Sequence, residues 1–337
     1  MKIHFKLLLA ALALPLSTVA HASETIESIK ARGVLHCGVH TGVAGFAIAN
    51  DKGEWEGIDV DVCRATAAAI FGDASKIKYT PLTSQQRFTA LQSGEVDILS
   101  RTTTWTLTRD TKLGIDFQGV NFYDGQGFMA HKRLGIKSST ELDGATVCVE
   151  PGTTTELNLA DYFRANKMEF KPIVIDNVSE AMAAYFAGRC DVFTTDSSLL
   201  ASLRITTAEV PEDHIILPEI ISKEPLGPSV RHGDQQFSDV VRWSLIAMKE
   251  AEEKGITSKN VDEMLKSEDP GIKRLLGVTP GMGEALGIDE KWMYNIIKQV
   301  GNYGESYDRN IKKTLGLERG VNDLWTRGGL MYPFPIR

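Results

Sequence analysis

Twice along this chain short apolar strands alternate with helices, and no other feature restricts its fold as strongly. The first run reads as strand 34–39, helix 58–71, strand 77–80, helix 84–93 and strand 96–99. In its long helix Ile58, Val62, Ala65 and Ala69 recur at helical spacing. The second run reads as strand 145–149, turn 150–155, helix 156–166, strand 172–175, helix 180–187 and strand 190–194. Strands that alternate with helices pair in parallel through right-handed crossovers. The chain is therefore expected to be α/β, with one mostly parallel, helix-flanked sheet for each run. Tyr123-Asp-Gly-Gln-Gly127 joins the runs as a glycine-bearing connector, and a Pro-rich stretch, 218–228, precedes another candidate strand at 229–231. Residues 234–337 read as mostly helical. The segment 237–253 is the clearest amphipathic one, and short helices are expected around Val261, Ile272, Trp292 and Ile311.

Residues 1–22 are expected to stand outside the fold. Lys2 and Lys6 flank an apolar run, 7–14, which leads to Ala20-His-Ala22, a small-residue cleavage site of an export signal. That run is too short to span a membrane, and no later segment reaches the roughly 18 apolar residues a spanning helix needs. Cleavage near Ala22 would leave a soluble exported protein. The 337-residue chain is long for one core and comfortable for two.

With 37 basic against 44 acidic residues the net charge is −7, and losing Lys2 and Lys6 deepens it. Phosphate binding needs a basic face, so nucleic acid is not an expected partner. All four cysteines, Cys37, Cys63, Cys148 and Cys190, follow the leader. An even count in an exported protein reads as disulfides, and four cysteines allow three pairings. Pairing Cys37 with Cys63 and Cys148 with Cys190, each within its own run, is the compact choice; buried free thiols are the alternative. No C-x-x-C occurs, so redox catalysis and thiolate zinc sites have no support.

Chemistry gathers where strands end. Strand 96–99 runs into hydroxyls at Ser100, Thr102, Thr103, Thr104 and Thr106, with Arg109 one turn into the following helix. Loop hydroxyls and helix N-terminal amides past a strand end form an anion site, and an arginine fork suits a carboxylate. A strand, loop and helix with Thr106 as N-cap and Arg109 in solvent is the plainer alternative. The second run repeats the pattern with Gly152-Thr-Thr-Thr155, and its last strand ends at Asp196. An arginine and an aspartate from opposite sides of a cleft suit the carboxylate and ammonium of an α-amino acid. Asp59 and Asp61 sit at i and i+2 of a helix and point apart, which favours a helix-start charge effect over acid/base work. Five histidines follow the leader, scattered and without ligand spacing. No nucleophile elbow, H-E-x-x-H, Walker loop, EF-hand or dinucleotide fingerprint is present, so neither a metal nor a cofactor is expected.

Several stretches carry a family resemblance. Gly33-Val-Leu-His-Cys-Gly-Val39, Gly53-Glu-Trp-Glu-Gly-Ile-Asp-Val-Asp61, Leu91-Gln-Ser-Gly-Glu-Val-Asp97, Pro151-Gly-Thr-Thr154 and Ala187-Gly-Arg-Cys-Asp191 with Asp196 are the stretches concerned. Together they resemble the family 3 extracellular solute-binding proteins, the periplasmic components of polar amino-acid ABC transporters. The resemblance covers roughly residues 25–255. The C-terminal extension and Arg101-Thr-Thr-Thr-Trp-Thr106 are similar to the general L-amino-acid-binding subgroup.

The resemblance implies a two-lobed periplasmic-binding-protein fold of type II: lobe 1 from 23–124 and 225–255, lobe 2 from 125–224. Residues 256–337 would form a helical extension packed on lobe 1. It implies an L-amino acid ligand of broad specificity and membrane permease subunits as partners. It also implies that Arg109 binds the ligand carboxylate, Thr102, Thr104, Thr153 and Thr154 contact the ligand's backbone groups, and Asp196 takes its ammonium. Gly42-Val-Ala-Gly45 offers no aromatic lid before Phe46, and Arg101 stands where smaller residues are common. A secreted enzyme on the same scaffold, such as a cyclic carboxylic acid dehydratase, is the competing reading; it would need an acid/base group beside the arginine.

Overall fold

The computed structural model describes residues 23–337, so the expected leader lies outside the described residues. Two five-stranded sheets form the frame. The first has the order Ile77–Leu82, Leu35–His40, Ile98–Leu99, Ser229–Arg231, Ile115–Phe117; the second Phe170–Val174, Ala145–Val149, Val192–Asp196, Gln126–His131, His214–Ile216. In each, the first three strands are parallel and the fourth runs antiparallel to both its neighbours. The reversed strand is the one that enters from the other lobe. Gln126–His131 follows the hinge strand Phe122–Asp124, and Ser229–Arg231 follows its partner Glu224–Leu226. These two hinge strands pair antiparallel, Asp124 opposite Glu224 and Phe122 opposite Leu226.

Strand alternation sorts side chains to opposite faces. In lobe 2, Phe128, Ala130, Val147, Val149 and Val192 join one cluster, and their neighbours Met129, Cys148 and Phe193 join another. Lobe 1 is covered on one face by a small cluster around Leu91, Leu99 and Phe117. Its other face carries the largest core, which the C-terminal extension shares: Trp292, Ile296, Tyr303 and Ile311 pack with Ile58, Val62 and Val240. Helix Ile58–Phe71 is buried on nearly all sides, and its alanines at 65, 67, 68 and 69 leave room for helices Gln235–Glu253 and Trp292–Gln299 to lie close.

Both disulfides are within a lobe. Cys37–Cys63 ties strand Leu35–His40 of lobe 1 to helix Ile58–Phe71 with Cα atoms 6.3 Å apart, and Cys148–Cys190 closes lobe 2 with Cα atoms 5.6 Å apart. The helix expected at 84–93 starts at Arg87, because Thr83 and Gln86 exchange side-chain to backbone hydrogen bonds in a preceding turn. The helix expected from 156 starts earlier, at Thr154, because Thr153 caps it.

Gly125, Gly127 and Gly227 all avoid positive φ, and Gly127 lies within a strand. A Cβ on Gly125 would stand 2.2 Å from Ile220, and one on Gly227 would stand 1.9 Å from the Gly119 carbonyl. These two are small because the crossing segments are packed tightly, not because the backbone is unusual.

Candidate functional site

The hydroxyl-rich loop of lobe 1 is held by residues far away in sequence. Thr102 has φ 37°, a left-handed conformation unusual for a threonine. Its amide donates to the Asp59 carboxylate at 2.7 Å, which also accepts from Asn121 at 2.7 Å. Asp59 therefore braces the loop, while Asp61 turns away to Arg309, Asn310 and Ser306. At its far end the loop lies along the hinge: Trp105 donates to the Pro225 carbonyl at 2.8 Å, and Gly227 donates to the Thr103 carbonyl at 3.0 Å.

Thr106 caps helix Leu107–Lys112 by accepting from the Arg109 amide, as its sequence position suggests. The Arg109 side chain, however, is buried at 7 % exposure instead of solvated. Its guanidinium donates to the Thr104 carbonyl at 3.0 Å and lies 5.2 Å from the Phe88 ring. Burial pushes its pKa down to about 10, with Glu224 and Asp196 pulling the other way.

From lobe 2, Thr153 is the N-cap of helix Thr154–Ala165. Its hydroxyl accepts from the Glu156 amide at 3.0 Å and donates to the Glu150 carbonyl at 2.8 Å, so it is committed to the cap. Thr154 reaches across: its hydroxyl lies 3.3 Å from that of Thr104, and both donate to Glu224. Asp196 ends its strand at the start of helix Ser197–Thr207 but caps nothing. Although buried, its carboxylate accepts no hydrogen bond from the described residues. Burial raises its pKa well above the carboxylate range, and the nearby charges of Asp124 and Glu224 add to this.

A cavity of about 20 Å³ lies where these elements converge, walled by Thr102 and Thr104 from lobe 1 and by Thr153, Thr154 and Asp196 from lobe 2. That space suits a water and not an amino acid, so the lobes are closed against each other. Arg87 donates to the Gly152 carbonyl at 3.3 Å and Ser202 to the Ala44 carbonyl at 2.9 Å, both across the cleft. Five of the six residues expected at the site thus line one cavity. Arg109 stands behind Thr104.

Other walls of that cavity were not expected from the sequence. His40, Ser84, Arg87, Arg101 and Glu150 also line it. Arg101 donates to the Leu82 carbonyl at 2.7 Å and to Ser84 at 3.2 Å, whereas the buried Arg87 Nε has no partner among the described residues. Burial lowers the pKa of both arginines and raises that of Glu150. Burial, together with Arg101 and Arg87, holds His40 well below its usual value and so neutral. Ser84 and Arg87 follow the end of strand Ile77–Leu82, the same placement that marked Thr102 and Arg109. The loop 42–45, which has no aromatic lid, is covered by the extension: a Cβ on Gly45 would meet Leu315 at 2.9 Å.

Residues 35–261 match the bacterial extracellular solute-binding proteins, family 3. The chain is 54% identical over 339 aligned positions to the general L-amino acid-binding periplasmic protein AapJ of Rhizobium johnstonii, covering 98% of this chain and 99% of that one. It is 52% identical over 321 positions to the glutamate/glutamine/aspartate/asparagine-binding protein BztA of Rhodobacter capsulatus, covering 94% and 95%. Among solved structures it resembles a periplasmic binding protein of an ABC transporter from Brucella ovis with glutathione bound. The TM-score is 0.91 at 57% identity, covering 94% of this chain and all of that one.

Proposed function

The chain belongs to the bacterial extracellular solute-binding proteins, family 3, and from that premise we propose that it captures L-amino acids between its lobes and hands them to membrane permease subunits. It is a periplasmic binding protein of the amino-acid ABC-transporter family, and its full-length relatives are transport proteins, not enzymes. The dehydratase reading is set aside on that ground. Export with cleavage near Ala22 fits the same setting.

One observation carries the ligand class. Among the described residues, the buried Asp196 of lobe 2 has no hydrogen bond to its carboxylate, and the buried Arg109 side chain of lobe 1 has only a carbonyl as hydrogen-bond partner. Unpaired charges of opposite sign on two closing lobes call for a molecule that carries both complements. The α-ammonium would meet Asp196, and the α-carboxylate would meet Arg109, the Thr102 and Thr104 side of the loop and the amides at the start of helix Thr154–Ala165. Because the ligand touches both lobes, it favours the closed form.

The side chain would then extend towards Ser84, Arg87, Arg101, His40 and Glu150. The orphaned Arg87 Nε favours an oxygen acceptor there, and Glu150 can accept from an amide. Carboxylate and carboxamide side chains fit best, in line with the ligands in the name of the Rhodobacter relative. Glutathione, present in the Brucella structure, also offers a free α-amino acid end.

Titration calorimetry with the twenty L-amino acids tests this reading. L-glutamate, L-glutamine, L-aspartate and L-asparagine should bind, and 4-aminobutyrate, which lacks the α-carboxylate, should not. Equal binding of 4-aminobutyrate and L-glutamate would defeat the α-group assignment.

A further inference from the structure

We propose that Asn322, in the C-terminal extension, is a positioning residue for ligand capture that acts by holding the hinge strand Phe122–Asp124 in its closed-lobe geometry. The inference rests on the amino-acid-binding reading above and adds a role for a segment outside the matched family region, 35–261.

The hinge strand pairs on one side with Glu224–Leu226, where Pro225 stands opposite Tyr123. Pro225 turns its own carbonyl the other way, to the Trp105 amide at 2.8 Å. Both main-chain polar groups of Tyr123 are taken instead by one side chain: its amide donates to Asn322 Oδ1 at 2.7 Å, and Asn322 Nδ2 donates to its carbonyl at 2.9 Å. A carboxamide thus serves as a one-residue third strand at the middle of the crossing segment.

Asn322 is itself held in place. It is 5% exposed, and Arg319 Nε donates to its carbonyl at 2.9 Å. Arg319 forms a two-pronged pair with Glu252, at 3.1 and 3.2 Å, and lies 5.0 and 4.8 Å from the rings of Tyr303 and Tyr307. Tyr303 donates to the Asn121 carbonyl at 2.8 Å, and Phe122 stacks on Tyr307. Every residue from Asn121 to Tyr123 is therefore tied to the extension, and the next residue, Asp124, bonds to Ser198 of lobe 2. Rotation of lobe 2 carries Asp124 with it and so pulls on the clamped residue before it, Tyr123. An asparagine that fixes Tyr123 therefore biases the equilibrium between open and closed lobes, and through it the ligand affinity.

The test compares the wild type, Asn322→Ala and Asn322→Asp in the full chain, with L-glutamate as the probe. Asn322→Ala removes two hydrogen bonds to the hinge and should weaken binding about tenfold, mainly by faster dissociation. Its ligand-free scattering profile should be more open than that of the wild type. Asn322→Asp keeps the acceptor for the Tyr123 amide but loses the donor, and should fall between the two. A folded Asn322→Ala with wild-type affinity and profile would overturn the proposal; should it fail to fold, wild-type affinity in Asn322→Asp does so. If the wild type itself bound no amino acid, the functional reading would fall instead. The ligand-free profiles would then decide the role of Asn322, an unchanged profile in the variants overturning it.

Discussion

Thr104 and Thr154 face each other across the two lobes with their hydroxyls 3.3 Å apart. Glu224 accepts from both, at 2.6 and 2.9 Å, and its other oxygen accepts from Asn158 at 2.8 Å and Ser222 at 2.6 Å. A single hinge carboxylate thus joins lobe 1 to lobe 2. Glu224→Ala should leave the ligand-free protein more open, seen as a larger radius of gyration. An unchanged radius would mean that other contacts hold the lobes together.

Arg109 carries the largest single effect expected on binding. Arg109→Ala should weaken every α-amino acid by about 2–5 kcal/mol, because it leaves a buried ligand carboxylate unpaired. Arg109→Lys should recover little of this, since an ammonium cannot reproduce the planar fork. Calorimetry that found either variant within threefold of the wild type would remove Arg109 from the site.

Binding should also depend on pH. In the closed, ligand-free protein, burial and the charges of Asp124 and Glu224 raise the Asp196 pKa, so that carboxyl keeps its proton to a higher pH than a free carboxylate does. An α-ammonium needs the ionised form, so below that raised pKa binding expels a proton and affinity rises with pH. The limit is about tenfold per pH unit until the raised pKa is passed. Proton release can be read from calorimetry in buffers of different ionisation enthalpy. Asp196→Asn should abolish the slope and weaken all α-amino acids alike; selective loss of one side-chain class would place Asp196 elsewhere.

Asp124 makes a separate prediction about stability. Burial pushes its pKa up from 3.8 to about 6. The folded state therefore holds this proton where the unfolded chain releases it, so stability falls as pH rises between those two values. Asp124→Asn should stabilise the protein by about 1–3 kcal/mol near pH 8 and by little near pH 3. Denaturation at the two pH values measures the difference, and an equal effect at both would show that Asp124 does not titrate in this window.

The last prediction concerns the strained loop. Asp59→Ala takes away the acceptor of the Thr102 amide and of Asn121, leaving buried donors unsatisfied at a cost of about 2–4 kcal/mol. Thr102 would relax from its left-handed conformation, and ligand affinity should fall with it. A variant as stable and as tight-binding as the wild type would show that the loop holds its own shape.

Much of this was legible because it is local. The Thr102 to Arg109 stretch and the Gly152 to Thr155 turn stood out because a strand end followed by hydroxyls has few other uses, and the cysteine couples followed from their positions in each run. What escaped depends on distance along the chain. Glu224 meets Thr104 and Thr154 from 120 and 70 residues away, and nothing near Glu224 marks it. Asp59 looked like an ordinary first-turn acid because its partners at 100, 102 and 121 come from other elements. At Gly125 and Gly227 a sequence shows that glycine is permissive but not that Ile220 or the Gly119 carbonyl fills the space beside it.

The strand order has a consequence for how the molecule comes into being. Every strand of the lobe 2 sheet lies between Gln126 and Ile216 without interruption, whereas the lobe 1 sheet needs Ser229–Arg231 to join Ile98–Leu99 to Ile115–Phe117. As the chain emerges N-terminus first, the later-encoded lobe can therefore finish before the earlier one. The first hundred residues must wait, with an unpaired sheet edge and an uncovered apolar face, until the chain has returned.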